Sequence, residues 1–148
     1  MSCIRFSTSA QRAALAADGA LGLTASDAAL LHLAPPVTDS KLRRLRLLAE
    51  HSNPGIRESV ASSRHAPQEV LAALAVDREE RVRAAVARNE CTPADVLRTL
   101  ARDTAEQVRG WVALNYSAPA DLLPILSADS SRTVRGLASW KHPRDSVD

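Results

Sequence analysis

The sequence predicts an all-α fold, a solenoid of short helix pairs, and three observations carry that expectation. Columns of like residues return every 26 positions, as from Asp77 to Asp103. Between them the apolar residues fall in stripes of helical spacing. The chain is 45% hydrophobic but only 3% aromatic, and a core of Leu, Val and Ala suits closely packed helices better than facing sheets. Its 148 residues are enough for one domain with a substantial core.

The recurrence is visible in "DREERVRAAVARNECTPADVLRTLARD", Asp77 to Asp103, which ends as it begins. Ile56, Val82, Val108 and Val134 form one column, each followed by an arginine: Arg57, Arg83, Arg109 and Arg135. Leu48, Leu74, Leu100 and Leu126 form a second, and Pro67, Pro93 and Pro119 a third. So many columns in one register define a repeat protein, and a repeat fixes the architecture before any single residue is weighed.

The elements follow in chain order. "SAQRAALAADG" reads as a helix ending at Gly19, and "SDAALLHLAPP" as another stopped by Pro35 and Pro36. The 26-residue register is worn here, so residues 1–40 are expected to be a degenerate cap sealing the array. Four tandem repeats follow at 41–66, 67–92, 93–118 and 119–141, with 142–148 as a tail. In the first, "KLRRLRLLAEH" buries Leu42, Leu45, Leu48 and Ala49 and leaves Lys41, Arg43, Arg44 and Arg46 in water.

The third repeat shows the unit most clearly. In "TPADVLRTLARD", Val96, Leu97, Leu100 and Ala101 make one stripe of a short helix. Pro93 suits its first position and Thr92 its cap. "AEQVRGWVALN" makes the second helix, with Val108, Val112 and Ala113 inward and Asn115 placed to close it in a left-handed conformation. Each helix spans roughly three turns, too short to persist alone in water. Stacking on neighbours must therefore stabilise it.

The recurring "VRAAVARNECTPADVLRTLARD" and "VRGWVALNYSAPADLLPILSAD" resemble the leucine-rich repeat variant family, whose units read VRxxVAxNxxTPxxxLxxLAxD. The resemblance extends from about Leu42 to Ala138 and is most specific over Pro67–Asp129. It implies a right-handed superhelix of helix pairs in which one helix is 3₁₀ or α. A more distant similarity to HEAT repeats runs through Asp77 and Val82-Arg83. Some members of the family carry an iron–sulfur cluster on an N-terminal cysteine-rich segment; here only Cys3 is present, so that property does not carry over.

Charge and motifs narrow the function. Basic residues number 19 against 17 acidic, a net charge of +2, which makes no electrostatic case for nucleic acid. Cys3 and Cys91 form neither a disulfide framework nor a metal motif, so reduced thiols in the cytoplasm are expected. Arg5, Arg12 and Asp18 interrupt any N-terminal signal core, and no apolar run is long enough to span a membrane. His65 and Cys91 share a column, but side chains one repeat apart stand about 10 Å from each other, too far to share a zinc ion. No GxSxG, HExxH, P-loop or GxGxxG occurs. The expectation is a non-enzymatic protein with no metal and no cofactor.

Two sets of residues remain. Asp77, Asp103 and Asp129, each six positions before Arg83, Arg109 or Arg135, are expected to form a structural ladder of Asp–Arg pairs joining adjacent repeats, with the aspartates capping the second helices. The second set faces outward. One outward column runs Ser59, Ala85, Trp111, Leu137, and another Ser62, Arg88, Leu114, Trp140. Both turn apolar in the last two repeats, gathering both tryptophans of the chain. Trp111, Leu114, Leu137, Trp140 and Arg88 are thus the candidate site for another protein, or for a second copy of the chain in a homodimer. The competing expectation is a terminal cap, with "KHPRDSVD" folded over the rings. A nucleic-acid binder or HEAT-like DNA-repair protein, and a homo-oligomeric structural protein, are the alternative functions.

Overall fold

The computed structural model describes residues 37–141. The expected cap helices of residues 1–36 and the tail 142–148 lie outside them. Eight helices and no strand occur among the described residues, an all-helical fold in keeping with a helical repeat. They are α1 (Asp39–Ala49), α2 (Pro54–Ala61), α3 (Gln68–Leu74), α4 (Glu80–Arg88), α5 (Ala94–Leu100), α6 (Glu106–Leu114), α7 (Leu122–Ser127) and α8 (Arg132–Lys141). All eight are α-helices rather than 3₁₀. The even-numbered helices pack side by side, α2 on α4, α4 on α6 and α6 on α8, and the odd-numbered ones lie over their junctions.

The core is what the columns require. Val82, Val108 and Val134 are wholly buried, as are Val86, Val112 and Ala138, and Leu71, Leu97, Leu100 and Leu122 fill the space opposite them. Small Ala61 and Ala87 are also wholly buried where helices cross. Burying a Leu or Val side chain is worth about 1.5–3 kcal/mol, so packing, not helix propensity, holds these elements.

Several local expectations are corrected. The odd-numbered helices α3 and α5 have seven residues each, nearer two turns than three. Thr92 does not cap α5; it is buried and its hydroxyl donates to the Val86 carbonyl at 2.7 Å. That carbonyl sits in the last turn of α4 and also accepts the Asn89 amide at 3.1 Å, and Pro93 takes the cap position with no side-chain bond. Asn115 is extended (φ −70°, ψ 123°) rather than left-handed. Its amide has a stronger use, since Nδ2 donates to the carbonyls of Ala87 and Asn89 at 2.7 and 3.0 Å. Asn89 makes the same bridge to Ala61 and Ser63 at 2.6 and 3.0 Å. Each asparagine Oδ1 also accepts the amide two residues on. A left-handed cap would aim these side chains elsewhere. In α1, Leu42, Leu45, Leu48 and Ala49 are only half-buried, because only α2 and α3 pack against it among the described helices. Lys41, Arg43, Arg44 and Arg46 are exposed, and Arg46 meets Glu69 at 2.7 Å.

Candidate functional site

The turns between helices position the arginines. Arg83 Nε and Nη2 donate to both carboxylate oxygens of Asp103 at 2.6 and 3.0 Å, while Nη1 donates to the Asp77 carbonyl at 2.7 Å. Arg109 does the same with Asp129 at 2.7 and 3.0 Å and the Asp103 carbonyl at 2.7 Å. Arg57 makes a further rung with Asp77, at 2.6 and 2.9 Å. The aspartate six residues before Arg83 and Arg109 thus offers only its carbonyl, as His51 does before Arg57. The carboxylate comes from 20 residues later, and the two-pronged geometry fixes the angle between neighbouring helix pairs.

Each carboxylate also accepts a backbone amide two residues on, at Glu79, Ala105 and Ser131. These are turns just before the helices rather than caps, for α4 and α6 begin with no side-chain cap bond. Hydrogen bonds from Arg57 and Arg109 hold the Asp77 and Asp129 carboxyls below the usual range. At Asp103 burial pushes the carboxyl up most strongly, and Arg83, the Ala105 amide and the nearby guanidinium charges together outweigh it, leaving it lowered. Arg135 departs from the expected ladder. It keeps the backbone contacts to Asp129 and Ser130, yet among the described residues no carboxylate forms an ion pair with it.

The outward columns converge on the side of α4, α6 and α8. Trp111, Leu114 and Leu137 are half-buried and line one hollow of about 470 Å³ with Gly110 as part of its wall. Trp140 is 71% exposed and borders an adjoining hollow of about 260 Å³ with Trp111, Leu114 and Arg88. The Arg88 guanidinium lies over the Trp111 ring, 5.5 Å from its centroid. All five candidate residues are therefore neighbours. Ala85 is not outward as expected but buried at 5%, whereas Ser59 in the same column is exposed.

The columns missed Tyr116, Glu80 and Glu106. Tyr116, 78% exposed, borders the hollow of Trp140 from a turn, where helical columns carry no information. Glu80 and Glu106 line the larger hollow. They stand in one column 26 positions apart, a signal present in the sequence but overlooked in favour of apolar residues. Among the described residues no three His, Cys, Asp or Glu side chains are grouped to hold a metal ion. No described helix is long and apolar enough to cross a membrane.

The unit running from the first residue of α4 past Asp103 contains both partners of one rung and the buried Asn89 and Thr92, and it is this unit that comparison recovers. Residues 80–104 match the leucine rich repeat variant family. The leucine rich repeat variant segment spans α4 and α5, so the family pattern coincides with one helix pair and its ion pair. No curated protein and no solved structure matches the chain.

Proposed function

We propose that the chain is a non-catalytic scaffold of the leucine rich repeat variant type that holds another protein on the surface of Trp111, Leu114, Leu137, Trp140 and Arg88. In this reading the helix pairs form a right-handed solenoid of 26-residue units, and the protein works in the cytoplasm. The observation that carries the proposal is the position of Trp140: a ring 71% exposed, bordering with the second tryptophan a hollow of about 260 Å³, on a chain with two tryptophans in all. Tryptophan and arginine beside a pocket are the residues that anchor protein interfaces. The arginines of the rungs are occupied by carboxylates, so they hold the scaffold rather than a ligand.

Trp140→Ala removes an exposed ring and leaves the core intact. Proteins retained from native extract by the wild type and by this variant are compared by quantitative mass spectrometry. The proposal expects a specific protein to be lost from the variant; identical retention overturns it. Concentration-dependent dimerisation in light scattering that disappears in Trp140→Ala replaces the partner with a second copy. Tight, salt-sensitive binding of duplex DNA replaces the scaffold with the nucleic-acid reading.

A further inference from the structure

The larger hollow differs in charge from the surface around it. Its apolar wall is Gly110, Trp111, Leu114 and Leu137, and its rim carries Glu80 and Glu106 with no lysine or arginine among the lining residues. Both glutamates are exposed, and neither forms a salt bridge among the described residues. Their nearest candidates are engaged: Arg83 and Arg109 give their forks to Asp103 and Asp129. Arg81 and Arg88 lie on the other side of Trp111, bordering an adjoining hollow of about 140 Å³ that shares Trp111 and Gln107 with the larger one and has Glu58 beside it. An apolar depression with two unpaired carboxylates on its rim fits one kind of guest.

We infer that this hollow receives a polypeptide segment carrying an apolar side chain flanked by two basic ones. The inference rests on the docking surface proposed above and names the chemistry of its partner. The apolar side chain enters between Trp111 and Leu137, and the flanking lysines or arginines meet Glu80 and Glu106. Neighbouring packed helices lie about 8–10 Å apart, so the two carboxylates set the spacing of the cations. An extended segment turns alternate side chains to one surface, so cations four residues apart with the apolar anchor midway span about 13 Å at about 3.3 Å per residue, which flexible side chains close. In a helix two turns at about 5.4 Å each span about 11 Å. An acidic segment is rejected at the same rim by like charge. The apolar anchor supplies most of the affinity, and the charges supply selection and encounter rate.

The test selects random peptides displayed on phage against the full chain and measures the strongest recovered peptide by fluorescence anisotropy. Titrations use the wild type, Glu80→Gln/Glu106→Gln and Thr133→Arg, with folding checked by circular dichroism. Thr133 is an exposed residue lining the hollow, so arginine there obstructs and repels without entering the core. The expected peptides carry basic residues four or seven positions apart around an apolar one. Their affinity falls about tenfold or more with Thr133→Arg. It falls several-fold, with loss of salt dependence, in the double glutamine variant. Acidic or uncharged peptides, no recovery, or unchanged affinity in the glutamine variant overturns the inference while leaving the tryptophan surface standing. Binding unaffected by Thr133→Arg, Trp111→Ala and Trp140→Ala alike overturns the surface as well.

Discussion

Arg109 and Arg135 occupy the same place in successive helix pairs, yet their substitution has different consequences. Arg109 is nearly buried, and removing it leaves the Asp129 carboxylate, 7% exposed, without its counter-ion. Arg109→Ala is therefore expected to destabilise by about 2–4 kcal/mol. Arg135→Ala, at an exposed residue whose contacts among the described residues are to carbonyls, should change stability by less than about 0.5 kcal/mol; urea denaturation of both variants checks the contrast. The rungs also set the acid limit of the fold. Asp77, Asp103 and Asp129 have folded pKa values below their ordinary ones. Their contribution is thus complete above the unfolded carboxylate value of about 3.9 and is lost as pH falls through the lower folded values. The urea midpoint should hold from neutral pH to about pH 5 and then drop, and Asp103→Asn should flatten that drop. At this scale the sequence yielded the residue types but not their partners. It expected Asp–Arg pairs joining adjacent repeats without naming the partner, and the fork of Arg83 reaches Asp103; no local pattern reveals that Asn115 answers the carbonyl of Ala87.

The helices themselves were the most legible part, because an apolar stripe fixes which face is buried whatever lies opposite. Val82, Val108 and Val134 were placed inward by spacing alone and are wholly buried. Helix ends and edges were harder, since they depend on neighbours that sequence spacing does not name: Thr92 serves α4 instead of α5. The last helix offers a clean test of an element on its own terms. Gly136 lies inside α8, exposed, and a Cβ added there meets nothing within 4 Å. Gly136→Ala should stabilise by about 0.5–1 kcal/mol through helix propensity and a less disordered unfolded chain, read as a higher thermal midpoint. At Gly110 an added Cβ comes 3.2 Å from Leu137 Cδ1, so alanine there displaces Leu137 at the wall of the larger hollow. The candidate surface was legible through its tryptophans because large apolar residues on an outward column are conspicuous; its acidic rim was not, since glutamate on a helix surface is ordinary.

Across the described helix pairs, the same few contacts recur from junction to junction. Each rung joins an arginine to an aspartate 20 residues on, and each buried asparagine reaches back 28 residues to an equivalent carbonyl. Excising residues 80–105 would leave Arg57 paired with Asp77 and Arg109 with Asp129, bring Arg109 six positions after Asp77, and hand Asn115 the carbonyl of Ala61. The shortened chain should fold with undiminished helicity per residue by circular dichroism, whereas excising 13 residues, about half a unit, should not. The joints are interchangeable, so the length of the array is free to drift by whole units without any compensating substitution. A gene built this way can change the reach of its product in a single recombination event and inherit a working seam.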